Sequence, residues 1–162
     1  MLNRLFVTFA AAAAALLCAS GAFAQLPNPY GSSITIDAAR KAAAPAFAEA
    51  QKNNLRMAIA IVDISGDLVF FEKMDGTQAA SVNIAVDKAR SAARFKRPTK
   101  ALQDALAAGG AGLRLLALEG AVPVEGGIPL IADGKIVGAI GVSGGTSEQD
   151  GQCAKAGADS VK

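Results

Sequence analysis

The motif with the most chemical promise is Gly141-Val142-Ser143-Gly144-Gly145, which matches the G-x-S-x-G turn that presents a nucleophilic serine between a strand and a helix. Composition disarms it. The chain of 162 residues has no histidine, and a serine hydroxyl loses its proton only to a nearby base, leaving a Ser-Lys pair with Lys135 or another lysine as the one route to nucleophilic catalysis. The same zero excludes Ser-His-Asp and Cys-His chemistry and any histidine-ligated metal. Two further readings of the turn stand: Ser143 bonded to backbone in a glycine-rich bend, or exposed N–H groups at a helix N-terminus that hold an anion or a carbonyl oxygen.

Lys88, Arg90, Arg94, Lys96, Arg97 and Lys100 crowd six cations into one stretch. Such a run suits a solvated helix end, where cations complement the dipole. Arg94, Lys96 and Arg97 also flank Phe95 and the rigid Pro98-Thr99 step. A planar guanidinium beside an apolar surface is what a carboxylate-bearing ligand needs, since it binds bidentately while the ligand body is desolvated. Glu125-Gly126-Gly127-Ile128-Pro129 lacks the G-K-[ST] ending of a phosphate loop and no G-x-G-x-x-G opens a helix, so nucleotide binding is not expected. Asp63, Asp67, Asp75, Glu125 and Asp150 fall at predicted turns, where carboxylates serve as turn formers. Met57 and Met74 read as core filler that could also act as soft ligands.

These residues must be positioned by an α+β fold. Asp37 is expected to cap an alanine-rich helix running to about Asn53. Met57 to Val62 is a continuous apolar run suited to a strand buried on both faces, and Leu68 to Lys73 returns as its hairpin partner. A helix follows from about Ala79 to Phe95, stopped by Pro98, and a short one from Thr99 to Ala107. Ile128 to Ala132 and Lys135 to Val142 flank Asp133-Gly134, the preferred type I′ pair. Thr146-Ser147-Glu148-Gln149 is a capping box opening a last helix to about Asp159. The order α-ββ-αα-ββ-α, with tight hairpins, demands an antiparallel sheet flanked by helices.

At the N-terminus, Arg4, the apolar run Leu5 to Leu17 and Ala22-Phe23-Ala24 read as a secretory signal peptide over 1–24, cleaved before Gln25. The apolar run is too short for the ~20 residues of a bilayer span. A lipid anchor at Cys18 is the rival, weakened by Leu17 before it. Residues 25–33 then form an extended leader and 34–162 a single ligand-binding domain, periplasmic or secreted. Cleavage leaves Cys153 as the one cysteine, so no disulfide can form within the chain; it is either a buried thiol or a link between chains. A net charge of +2 argues against nucleic acid as partner. Alanine-rich helices make a homo-oligomer plausible, since modest apolar faces are left to cover.

Ordered motifs carry a resemblance to the GlcG/HbpS family. They are Lys73-Met74-Asp75-Gly76, Ser81, Ala85, Lys88-Ala89, Ala92-Ala93, Phe95 and Arg97-Pro98-Thr99, then Gly126-Gly127-Ile128-Pro129, Asp133-Gly134, Val137 through Gly144, Gln149-Asp150, Cys153-Ala154 and Gly157. The resemblance runs from about Ile34 to the end. It implies a profilin-like, five-stranded antiparallel sheet, the fifth strand falling at Ala121 to Val124, and symmetric oligomers. It also implies a pocket for haem or a related tetrapyrrole, in a family that includes exported haem-binding proteins, proteins of glycolate-utilisation operons and the C-terminal domain of a cobalamin-related protein. Carried over, the pocket residues are Met74, Phe95, Arg97, Thr99, Gly126, Gly127, Ser143 and Gln149. Relatives that ligate iron through histidine find no counterpart here. Iron would fall to Thr99, Tyr30, Met57, Met74 or Cys153, and the propionates to Arg94, Lys96 or Arg97. A non-enzymatic haem-binding protein is the first expectation, a pocket for a small hydroxy or keto acid the second, and a structural homo-oligomeric module the third.

Overall fold

In the computed structural model, which describes residues 27–162, the apolar runs become α1 (Ile36–Lys52), β1 (Ala58–Val62), β2 (Leu68–Lys73), α2 (Ser81–Phe95), α3 (Thr99–Ala107), a 3-10 segment (Gly110–Ala117), β3 (Gly127–Ala132), β4 (Lys135–Ser143) and α4 (Ser147–Ala158). The signal peptide lies outside the described residues. All strand pairs are antiparallel, in the spatial order β2-β1-β4-β3. Asp133 and Gly134 both take positive φ, as a type I′ hairpin requires.

Alternation of side-chain size along the central strands decides how the helices pack. Ile59, Ile61, Ile140, Val142 and Leu130 project to one face, where they meet Ala39, Ala42, Ala43 and Ala46 of α1 and Cys153 and Ala154 of α4. Ala58, Ala60, Val62 and Ala139 project to the other, against Ala85, Ala89, Ala92 and Ala93 of α2. Strand β1 is buried throughout, as its continuous apolar run predicts. On the alanine side the backbones come so close that a Cβ at Gly141 would collide with the Ala85 carbonyl oxygen.

Three expectations change. Thr35, not Asp37, caps α1: its Oγ1 accepts the Ala38 N–H at 3.3 Å. The sheet has four strands, because Ala121 to Val124 is irregular. Side chains take backbone donors at and just after it: Val122 N–H donates to Ser91 Oγ at 3.0 Å, and the N–H of the following Glu125 donates to Gln103 Oε1 at 2.8 Å. The 3-10 segment after Gly109 was not anticipated. The leader from Pro27 runs extended and prolongs the row of β1, with Gly31 N–H on the Ile136 carbonyl and Ile34 N–H on that of Val137.

Candidate functional site

Ser81, Ala85, Lys88 and Ala92 lie on the buried stripe of α2, so one member of the cation run points inward. The Lys88 side chain is 1% exposed and its Nζ sits 2.6 Å from Asp150 Oδ2 of α4, also buried, while donating to the Val142 carbonyl at 3.2 Å. The pair therefore joins helices on opposite faces of the sheet. Gly126 makes the crossing possible: φ is +125°, and a Cβ there would stand 2.9 Å from Lys88 Nζ and 2.7 Å from the Val142 oxygen. Gly127 lies against the Lys88 carbonyl and Thr99 Cγ2, and its N–H donates to Thr99 Oγ1 at 2.9 Å. The second Asp150 oxygen accepts the Gly145 N–H at 3.0 Å. Burial pushes the Asp150 carboxyl above the usual carboxylate range, with the bond from Lys88 opposing it.

Thr99, Gly126 and Gly127 are thus brought together, with Lys88 and Asp150 as the centre of the cluster. Ser143 lies on the same face of β4, and its hydroxyl donates to Ser81 Oγ at 3.2 Å. Its hydrogen-bond partner is therefore another hydroxyl and not a base, and the G-x-S-x-G match spans the end of β4 and the bend after it. Gln149 closes the capping box with Thr146, its Oε1 accepting the Thr146 N–H at 2.9 Å.

The remaining cations scatter. Arg94 Nε donates to the Ser65 carbonyl and Arg90 Nε to that of Gly66, clamping the β1–β2 turn. Arg97 turns back onto the Phe95 carbonyl, and Phe95 itself is half-buried. Lys96, left-handed at the end of α2, lies 4.0 Å from the centre of the Tyr30 ring, whose hydroxyl donates to the Ala93 carbonyl. Lys100 pairs with Asp104. Arg94 and Arg97 therefore do not converge on Gly127 and Ser143.

The sulfur and oxygen candidates for iron are committed as well. Met74 Sδ accepts the Met57 N–H, Met57 is fully buried, and Thr99 is held by Gly127. Cys153 is a free, buried thiol, pushed up to about 11 by desolvation. No group of three His, Cys, Asp or Glu side chains among the described residues could hold a metal ion. No buried side-chain N or O atom there lacks a hydrogen-bond partner, so the cluster chiefly ties layers together.

Open space lies elsewhere. An open cavity of about 610 Å³ is bordered by the start of α1, the β3–β4 hairpin and the segment after α4, with Ile34, Ala42, Val137, Lys41 and Lys162 in its wall. A second, of about 310 Å³, lies between Lys96 and Pro98 on one side and Ile128 and Pro129 on the other. Both fall near the size range of small-molecule sites. No helix among the described residues is long and apolar enough to cross a membrane.

A 15.0 kDa protein encoded between dhaT and dhaS in Citrobacter freundii is 37% identical over 119 residues, 72% of this chain and 84% of that protein. A double mutant of Streptomyces reticuli HbpS superposes with a TM-score of 0.74 at 32% identity, covering 82% of this chain and 89% of that one. The PduOC:Heme complex gives a TM-score of 0.72 at 26% identity, over 80% and 96% of the two chains. With the description haem degrading protein HbpS-like matching residues 34–159, nearly the whole described fold, the chain belongs to the HbpS-like family.

Proposed function

We propose that this chain is an exported binding protein for haem or a related carboxylate-bearing tetrapyrrole, held by apolar contact and cations without a strong axial ligand from the protein. The observation that carries the reading is the family membership, with a relative of the same fold crystallised as a haem complex. Export is supported by the signal-peptide pattern over 1–24. The chain's own chemistry supports the lack of a strong axial ligand: it has no histidine, its Cys153 thiol is buried and pushed up to about 11, and Met74 and Thr99 are engaged internally. A second copy of the chain is the partner we expect, because Leu113, Leu116 and Leu118 stand 55%, 71% and 47% exposed in and just after the 3-10 segment.

Parallel titrations with hemin and metal-free protoporphyrin test this. Affinities within about threefold of each other are expected, since an unligated iron adds little. Saturation by neither removes the tetrapyrrole, and a hemin preference of about a hundredfold would restore an axial ligand. A Soret band that is stable in the presence of a reductant is expected of a binder, and progressive bleaching would convert the assignment to turnover.

A further inference from the structure

The geometry points to the larger cavity as a binding site for apolar molecules that end in a carboxylate, a class that includes both porphyrins and medium-chain fatty acids. Its floor is hydrocarbon: Ile34 and Ala42 are buried, and Val137 and Val161 are half-buried beside them. Its volume of about 610 Å³ is twice that of the other cavity. Its lining contains no acidic side chain. Lys41 lines it from α1 and makes no ion pair among the described residues, whereas Lys96 at the smaller cavity already covers the Tyr30 ring.

Ser32 and Ser33 add hydroxyls to the same wall. An apolar floor with two lysines, Lys41 and Lys162, and hydroxyls at its rim matches a ligand with a hydrocarbon body and one anionic end, and repels neither part. The arginines expected to bind a carboxylate are spent on the β1–β2 turn and on Phe95, which leaves Lys41, with Lys162 near the end of the chain, as the cations beside this cavity. The porphyrin case rests on the function proposed above; the fatty-acid case does not.

The full chain is titrated calorimetrically with decanoate, decanol and protoporphyrin, and the titrations are repeated on Lys41→Glu, Lys41→Arg and Ala38→Phe, with circular dichroism to verify folding. Saturable decanoate binding is expected, weakened about tenfold by Lys41→Glu and retained by Lys41→Arg, as loss of a charge-assisted contact implies. Decanol should lose less than about twofold in Lys41→Glu, and Ala38→Phe, which fills the cavity from the first turn of α1, should weaken every ligand that binds. Failure of decanoate to saturate, equal losses for decanol and decanoate in Lys41→Glu, or variants that bind as wild type would each overturn the assignment. So would a change in sedimentation instead of in ligand binding, which would make the cavity an interface between copies. Decanoate binding without protoporphyrin binding keeps the cavity and removes the tetrapyrrole. Protoporphyrin binding that ignores Ala38→Phe, with no decanoate binding, does the reverse.

Discussion

On one face of the sheet Ile59, Ile61, Ile140 and Val142 fill the space beneath α1 and α4; on the other Ala58, Ala60, Ala139 and Gly141 let α2 settle almost onto the strands. Both faces are buried, yet they are stabilised by different means. The first depends on side-chain volume removed from water. The second buries little per residue, and gains from close backbone approach and from polar groups that satisfy one another: Ser143 with Ser81, Thr99 with Gly127, Lys88 with Asp150. Closeness therefore makes the alanine face the stricter of the two about added atoms, which meet backbone there, while the Lys88–Asp150 pair that links both faces tolerates the loss of a partner less well than a hydrocarbon core tolerates a void.

The largest effect should come from unpairing that charge. Lys88→Met leaves the Asp150 carboxyl buried without its cation and should cost about 3 to 5 kcal/mol near neutral pH, measured by urea denaturation. Burial already raises the Asp150 carboxyl, so its neutral form is the one the fold favours, and the associated stability is present at acid pH and lost as pH rises through the raised value. Removing Lys88 strengthens that trend. The deficit of Lys88→Met should shrink at acid pH and grow as pH climbs, and a deficit that does not vary with pH would mean that Asp150 finds another donor.

Opposite substitutions on the two faces sharpen the contrast. Ile140→Ala should cost about 2 to 5 kcal/mol through the cavity it leaves. Ala89→Leu, which adds volume where the other face removes it, should cost about 1 to 3 kcal/mol through overpacking, with α2 displaced. The reverse exchange identifies the strict face: Ala46→Ser on the volume-driven side and Ala89→Ser on the close-packed side can be compared by thermal melting, the second expected to be the more damaging.

The smallest effect is confined to alkaline pH. With its thiol pushed up to about 11 from an ordinary 9.0, Cys153 contributes stability that is complete below pH 9 and lost as pH rises toward 11. Wild type should lose about 1 kcal/mol between pH 8 and pH 10 that Cys153→Ala does not lose, read from chemical melts at each pH. Rapid labelling of the native thiol at neutral pH would contradict its burial.

Local patterning explains why so much of the fold was readable. Leu68–Lys73 and Thr99–Ala107 form as their spacing predicts, and Asp133-Gly134 and the Thr146 capping box act through chemistry contained in a few adjacent residues. The missing fifth strand was hidden because its Val122 donor is captured by Ser91, and that of the adjoining Glu125 by Gln103, both far away in sequence. The cation run misled for a related reason. Charge density suggests solvent, but Lys88 shares its helical stripe with Ser81, Ala85 and Ala92, and that spacing was the available sign that one of the six points inward. Asp150 carried no such sign, since its partner is 62 residues away.

That separation has a kinetic meaning. Lys88 can meet Asp150 only after α2 lies on the sheet, Gly126 has turned into place and α4 has docked behind β4. Contacts that require the whole topology form after the folding barrier, so weakening them speeds unfolding and leaves the folding rate nearly untouched. In chevron measurements Lys88→Met should move the unfolding limb. The ion pair would then govern how long the folded chain lasts more than how quickly it is made, so that it sets the chain's kinetic stability.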